Sequence, residues 1–86
     1  MKKVWEDTAW NDYLHWQRTD KKILARINEL IKSCERTPFS GIGKPEPLKR
    51  NLKGYWSRRI DKTHRLVYKI ENNVIIIAQC RFHYKE

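Results

Sequence analysis

The sequence has little of what marks several large classes of protein. Its 86 residues include two cysteines, three glycines and three prolines, so neither a disulfide framework nor a low-complexity linker is indicated. The longest apolar run covers residues 74–78, which is too short to cross a membrane, and the charged N-terminus lacks a signal-peptide stretch. No metal-ligand spacing is present, and we expect no cofactor. We predict one soluble domain over residues 1–86 in the reducing cytoplasm, with Cys34 and Cys80 as buried thiols.

Acidic residues are scarce relative to basic ones. Ten Asp and Glu stand against 19 Lys and Arg, which gives a net charge of +9. Residues 1–36 hold 8 basic and 6 acidic residues, a net of +2, whereas residues 37–86 hold 11 and 4, a net of +7. A polyanion, most commonly a nucleic acid, is therefore the favoured partner of the C-terminal half. Composition by itself also fits a generally basic, soluble surface.

Two helices are predicted in the N-terminal half, after a short strand at residues 2–5. The first covers roughly residues 9–17, with Thr8 as its cap. The second begins at Asp20 or Thr19 and has the stronger helical period. Its apolar residues form one stripe: Ile23, Leu24, Ile27, Leu30, Ile31 and Cys34.

The C-terminal half is predicted to be a long loop followed by an antiparallel meander. A loop over residues 37–53 is long for so small a chain, which favours a functional role. Strands are predicted over residues 55–60, 65–71 and 74–82, and Asn72-Asn73 supplies the tight turn between the last two. The predicted fold class is α+β, with two N-terminal helices packed on a mainly antiparallel, twisted sheet.

The apolar run at residues 74–78 predicts either a strand covered on both faces or a dimer contact. A chain of this length buries only roughly 60–65% of its unfolded surface, so dimerisation or a bound partner would help to stabilise its thin core, and we expect a homodimer. Trp5, Trp10 and Trp16 are predicted to be core or dimer contacts, while Trp56 could be either core or a base-stacking platform.

A carboxylate and an imidazole among arginines are the candidate chemical groups. Glu46 lies between two prolines in a basic stretch, and His83 lies near the C-terminus. A base, an acid and cations are the groups needed to cleave a phosphodiester, and without metal the 2′-OH of RNA would be the nucleophile. Taken alone, Glu46 is equally a solvated loop carboxylate, and His83 an exposed histidine.

Alternation along the predicted strands limits which side chains can share a face. Arg58 and Arg59 alternate, so only one of them can face a substrate groove. Arg81 and His83 are two residues apart and are predicted to lie on one face of the last strand. His64 is the rival candidate for the acid.

Several motifs taken together are far more specific than any of them alone. They are KPEPLK at residues 44–49, WSRRI at 56–60, HRLVY at 64–68 and CRFHY at 80–84. With residues 10–16 and 28–31, they resemble the YoeB (also called Txe) branch of the RelE/ParE toxin superfamily over nearly the whole chain. The resemblance implies a RelE-like fold and a bacterial toxin that cleaves mRNA in the ribosomal A site.

The resemblance also implies a role for each candidate residue. Glu46 would be the general base, His83 the general acid, and Arg65 the group that stabilises the phosphorane. Three more residues would bind the substrate: Lys49 and Arg59 by holding phosphates, and Tyr84 by orienting the RNA. Arg58 is then left to bind antitoxin or ribosomal RNA.

The implied partners are the bacterial ribosome, its mRNA and a cognate antitoxin of the YefM type, with operator DNA bound only as the toxin–antitoxin complex. Two other functions stay open. One is a non-catalytic poison of a protein such as DNA gyrase, as on the ParE side of the superfamily. The other is a basic subunit that mainly binds the operator with its antitoxin, although no helix-turn-helix signature supports it. The combination of Glu46 and His83 with Arg59 and Arg65 favours the nuclease.

Overall fold

The computed structural model describes all residues from Met1 to Glu86. Its helices and strands, in chain order, are β1 (Lys2–Trp5), α1 (Asp7–Thr19), α2 (Lys21–Arg36), β2 (Glu46–Pro47), β3 (Trp56–Arg59), β4 (Arg65–Glu71) and β5 (Val74–Gln79), with a 3₁₀ turn at Arg50–Leu52. Two helices packed on a five-stranded sheet confirm the predicted α+β fold class. Neither helix has the length and apolar character needed to cross a membrane.

The two helices begin differently. The Asp20 carboxylate accepts hydrogen bonds from the backbone N–H groups of Lys22 and Ile23 at 3.1 and 3.2 Å, which confirms it as the cap of α2. The prediction of Thr8 as the cap of α1 was wrong, because α1 already begins at Asp7 and its N-cap position has no side-chain hydrogen bond. The carboxylate of Asp7 instead interacts favourably with the positive end of the helix dipole.

The core lies between the helices and one face of the sheet. The predicted stripe of α2 faces it, and four of its members are fully or almost fully buried: Ile27, Leu30, Ile31 and Cys34. The sheet contributes Leu66, Tyr68, Ile75 and Ile77. Of the tryptophans, Trp16 is buried in this core, Trp5 and Trp56 pack against it, and Trp10 is 46% exposed.

The sheet has the order β1-β5-β4-β3-β2, and only the β1–β5 pair is parallel. The predicted turn at Asn72-Asn73 is confirmed, with φ of 50° and 60°. In β5, alternate residues Ile75 and Ile77 are fully buried against the helices. Val74, Ile76 and Ala78 are only half-buried, so of the two predicted alternatives the chain by itself does not show a strand covered on both faces, and a dimer contact stays a prediction.

The predicted extension of the last strand to residue 82 was also wrong, since β5 ends at Gln79. At Cys80 the backbone bonds to side chains of α1 instead of to a neighbouring strand. The Cys80 N–H donates to the Asp12 carboxylate at 3.0 Å, and the Trp16 indole N–H donates to the Cys80 carbonyl at 2.9 Å. The chain therefore leaves the sheet at Cys80.

Candidate active site

One row of cross-strand partners crosses the sheet on the face that points away from the helices. Glu46 of β2 lies opposite Ser57, Ser57 opposite Val67, and Val67 opposite Gln79 of β5. Cross-strand partners share a face, and the residues on either side of Val67 belong to the core under the helices. This row, which we call the Glu46 row, therefore lies on the open face of the sheet.

Two predicted arginines lie on the same open face. Arg59 and Arg65 are cross-strand partners, and Arg59 is two residues beyond Ser57, a distance of about 7 Å along a strand. Arg59 is exposed and Arg65 is half-buried. The Arg65 guanidinium donates to the backbone carbonyls of Asp61 and His64 at 2.9 and 3.1 Å, which orients it. The sheet thus brings two cations beside the Glu46 row.

The residues after β5, from Cys80 to Glu86, fold back over this face and form the C-terminal segment. The Gln79 side-chain amide donates to the carbonyls of Arg81 and His83 at 2.9 and 3.0 Å. Because these residues are not in a strand, the prediction that Arg81 and His83 share a strand face was wrong. The segment is instead held by hydrogen bonds from the Gln79 side-chain amide and from the Arg65 backbone N–H at the start of β4.

The C-terminal segment ends beside β2. The Tyr84 hydroxyl donates to Oε1 of Glu46 at 3.2 Å, and the Glu86 carboxylate accepts a hydrogen bond from the Lys49 backbone N–H. The segment therefore passes across the Glu46 row. This passage explains why Ser57 and Val67, which no helix covers, are only 2% and 1% exposed.

His83 contacts the adjacent Tyr84, which in turn contacts Glu46. Its exposed imidazole stacks on the Tyr84 ring, with 4.5 Å between ring centroids and 22° between ring planes. Its Nδ1 lies 3.0 Å from the Tyr84 carbonyl oxygen. The candidate acid is thus stacked on the ring whose hydroxyl contacts the candidate base, Glu46.

Glu46 is positioned by a short edge strand inside the predicted loop. Prolines flank it, and the edge of a sheet tolerates them because no ladder hydrogen bond is lost there. After the strand, buried Leu48 donates its N–H to the Tyr55 carbonyl at 2.9 Å, which fixes the turn into Lys49. The side chains of Glu46 and Lys49 are both exposed and open to a substrate.

Arg58 has a structural role, and its prediction as a contact for antitoxin or ribosomal RNA was wrong. It is fully buried and donates five hydrogen bonds of 2.7–3.1 Å. Its acceptors are the Tyr68 hydroxyl, the Ser33 hydroxyl and the carbonyls of Thr37, Ser40 and Ile42. These three carbonyls lie in the loop that leads to Glu46, so Arg58 holds that loop against α2.

Sequence reasoning missed three polar residues that shape the site: Arg58, Gln79 and Asp12. Arg58 alternates with Trp56 and Ile60, which are inward-facing apolar positions, and this spacing could have indicated burial. Asp12 is buried, and desolvation raises the pKa of its carboxyl, although the Cys80 N–H and the Arg81 charge act in the opposite direction. No signal in the sequence singles out Gln79.

A cavity lies elsewhere in the molecule. It has a volume of about 480 Å³ and is lined by Lys3, Trp5, Trp10, Tyr13, Asn28, Ile31, Lys32 and Glu35. It adjoins β1, whereas Glu46 lies on β2 at the opposite edge of the sheet. The candidate site is instead an open, basic face, a shape that suits a polymer rather than a small molecule.

Comparison with known proteins gives consistent matches. A model of the YoeB-like toxins of bacterial type II toxin–antitoxin systems matches residues 5–84. Toxin YoeB of Escherichia coli K12 is 60% identical over 84 residues, which are 98% of this chain and all of that protein. A YoeB/ParE toxin structure from Agrobacterium tumefaciens has a TM-score of 0.96 and 52% identity, over 98% of this chain and 100% of that one. YoeB of Staphylococcus aureus, with a TM-score of 0.91, 49% identity and 98% of each chain covered, has been solved in a heterotetrameric complex with YefM and as a dimer.

Proposed function

The chain belongs to the YoeB-like toxins of bacterial type II toxin–antitoxin systems, and we propose that it is a ribosome-dependent endoribonuclease that cuts mRNA in the A site. The observation that carries this proposal is the hydrogen bond from the Tyr84 hydroxyl to Glu46. It brings the C-terminal segment, and with it His83, to the face that holds Arg59 and Arg65.

In the proposed reaction the RNA supplies its own nucleophile. Glu46 removes the proton of a 2′-OH, whose oxygen attacks the adjacent phosphorus. His83 donates a proton to the departing 5′-oxygen. The products are a 2′,3′-cyclic phosphate and a 5′-OH end, and each proton-transfer group contributes about 10²–10⁴-fold to the rate.

The arginines meet the negative charge that builds up on the phosphorane. Arg65 is suited to this role because two backbone carbonyls already orient its guanidinium, so little reorganisation is needed as charge develops. Arg59 is exposed on the same face, and its planar fork suits a phosphate. The exposed ammonium of Lys49 holds a further phosphate beyond Glu46.

Tyr84 orients the substrate in this scheme. Its hydroxyl donates a hydrogen bond to Glu46, and the 2′-OH takes over that hydrogen bond when it approaches the carboxylate. The open face has no enclosed pocket that would select a base or bend a free strand. We infer that the ribosome supplies the bent mRNA conformation and that the basic surface holds the toxin beside it.

We further propose a cognate antitoxin of the YefM type, a homodimer of the toxin, and operator binding only by the complex. The Staphylococcus aureus relative is solved both with YefM and as a dimer. A face with this much positive charge suits an acidic segment that folds on binding. Hydrogen exchange of the co-purified complex tests this, because protection confined to α1, with residues 80–86 unchanged, would contradict antitoxin binding at the site.

The nuclease proposal is tested by mapping RNA ends on translating ribosomes with and without the protein. We expect new 5′-OH ends within the A-site codon, only where ribosomes are translating. Intact mRNA in the presence of folded protein would contradict the proposal. Inhibition of DNA gyrase in a parallel assay would then support the alternative of a protein-directed poison.

A further inference from the structure

Phe82 has the only left-handed backbone conformation in the C-terminal segment, with φ of 66°. Such a conformation is unfavourable for a bulky residue, because its Cβ approaches the carbonyl oxygen that follows. The side chain does not offset it by burial, because Phe82 is 57% exposed. The Phe82 ring has surface contacts with the Arg81 guanidinium, 4.5 Å from its centroid, and with the His64 ring, 6.1 Å away, and the hydrogen bonds of the backbone fix the turn itself.

Both polar groups of the Phe82 backbone have partners in fixed elements. Its N–H donates to Nδ1 of the His64 imidazole at 2.7 Å. Its carbonyl accepts from the Arg65 N–H at 3.0 Å and from the Gln79 side chain at 3.3 Å. Consecutive residues at the start of β4 thus hold the two sides of one peptide turn, immediately before His83.

The His64 imidazole is itself fixed in one orientation. Its ring packs edge-on against buried Trp16, with 4.8 Å between centroids and 74° between planes. Its backbone N–H donates to Oδ1 of Asp61 at 2.7 Å. Because the Phe82 N–H is a donor, Nδ1 must be the acceptor, so the ring is neutral with its proton on Nε2.

We propose that His64 is a positioning residue, whose neutral Nδ1 holds the left-handed turn at Phe82 and so places His83 and Tyr84 beside Glu46. Its effect on RNA cleavage rests on the proposed function, whereas its effect on the turn does not. The proposal replaces the sequence-based view of His64 as a rival acid, because the nitrogen that faces the C-terminal segment is occupied by a backbone N–H.

Protonation of His64 at Nδ1 would remove the acceptor and place an imidazole N–H opposite the Phe82 N–H. The charged and titratable groups around the ring come from α1, from the C-terminal segment, from the loop between β3 and β4 and from the first residue of β4: Asp12, His15, Arg81, Asp61 and Arg65. The turn should loosen once the imidazole is protonated at Nδ1, because the Phe82 N–H then has no acceptor.

Two substitutions of His64 test its hydrogen bond with the Phe82 N–H apart from the other contacts of the side chain. In H64N the amide oxygen can take the place of Nδ1 as an acceptor, and the group cannot titrate. In H64Q the side chain is one carbon longer, so its amide lies near the former position of Nε2. No acceptor then remains near the Phe82 N–H. Both variants are uncharged and polar, so they differ chiefly in the contact under test.

The experiment measures the exchange protection of the Phe82 amide and the single-turnover cleavage of ribosome-bound mRNA. H64N should retain both, whereas H64Q should lower both by about tenfold, the loss expected for one hydrogen bond. When the pH is lowered until the imidazole is protonated, Phe82 protection should fall in the wild type and stay constant in H64N, which has no imidazole. The Ile60 amide, which donates to the His64 carbonyl at 3.0 Å, reports whether the adjoining loop stays folded.

Wild-type protection of Phe82 in H64Q would overturn the proposal, as would an H64N variant impaired as much as H64Q. If H64Q does not fold, the acid titration of the wild type against H64N still decides, and equal pH dependence in the two would contradict the role of His64. If the exchange results are as expected but wild-type protein leaves mRNA intact, the nuclease function fails while the role of His64 in the turn stands.

Discussion

The Tyr84 hydroxyl donates a hydrogen bond to Oε1 of Glu46 at 3.2 Å, although 38 residues separate them. It joins the segment that follows β5 to β2, and β4 and β3 lie in between. The C-terminal segment therefore crosses three strand spacings, or about 14 Å, to make the contact. Through it, the segment that carries His83 is joined to the carboxylate of Glu46 at one edge of the sheet.

Tyr84→Phe should slow cleavage of ribosome-bound mRNA by about tenfold, because one hydrogen bond to a charged group is lost while the aromatic ring stays. Single-turnover kinetics measure the change. Tyr13→Phe is the matched control, since the Tyr13 hydroxyl makes one similar bond, to Asn28 at 2.8 Å, far from the site. Equal rates for the two variants would argue against an orienting role for Tyr84.

Glu46→Ala and His83→Ala should each slow single-turnover cleavage by about 10²-fold or more, because each removes a proton-transfer group. Ribosome binding, measured by co-sedimentation, should change little. Glu29→Ala, which removes an exposed carboxylate from α2, is the control. Wild-type rates in the folded variants would remove the two residues from the mechanism.

Arg58→Ala should reduce mainly the stability of the protein, whereas Arg59→Ala should reduce mainly its activity. Arg58→Ala leaves five acceptors without their donor, so the free energy of unfolding should fall by about 3–5 kcal/mol. Arg59→Ala should change it by no more than about 0.5 kcal/mol yet slow cleavage by about 10²-fold. Urea unfolding and single-turnover assays measure the two effects, and the reverse assignment would contradict the site.

For these two neighbouring arginines, the face of the strand could be predicted from the sequence, but the partners that allow Arg58 to be buried could not. Alternation correctly puts Arg58 and Arg59 on opposite faces of β3, and the family resemblance selects Arg59 for the substrate. The sequence does not show that the loop before Glu46 turns three carbonyls inward, and those acceptors, together with the hydroxyls of Ser33 and Tyr68, make it favourable to bury a guanidinium. A buried arginine depends on partners distant in the chain, which no local pattern encodes.

The helices and the hairpin were more predictable because local signals decide them. The apolar stripe of α2, the cap at Asp20 and the turn at Asn72-Asn73 each act within a few residues. The end of β5 was not predictable in this way. Residues 80–82 have strand-like composition, but Asp12 and Trp16, more than 60 residues earlier, bind the Cys80 backbone and take the chain out of the sheet.

Asp12→Asn should alter how stability depends on pH. Desolvation raises the pKa of the Asp12 carboxyl in the folded protein. The folded protein is therefore more stable when Asp12 is protonated than when it is ionised. That contribution is fully present below about pH 3.9, the usual value of an unfolded Asp, and is lost as pH rises through the raised folded pKa. Asn keeps an acceptor for the Cys80 N–H but does not titrate.

The free energy of unfolding of the wild type minus that of Asp12→Asn should therefore decrease as pH rises from the acid range and level off once Asp12 is ionised. Urea unfolding at a series of pH values measures this difference, and the subtraction removes the titration of other groups. A difference that rises with pH would mean that the hydrogen bond and the Arg81 charge outweigh burial.

We propose that the RNA itself supplies the nucleophile at a site built from Glu46, His83 and the two arginines. The most direct measurement is single-turnover cleavage of ribosome-bound mRNA in which one 2′-OH, at the mapped cut, is replaced by hydrogen. The unmodified message should yield a 2′,3′-cyclic phosphate and a 5′-OH end, and the 2′-deoxy message should stay intact at that position. Efficient cutting of the 2′-deoxy message at the same bond would contradict the mechanism.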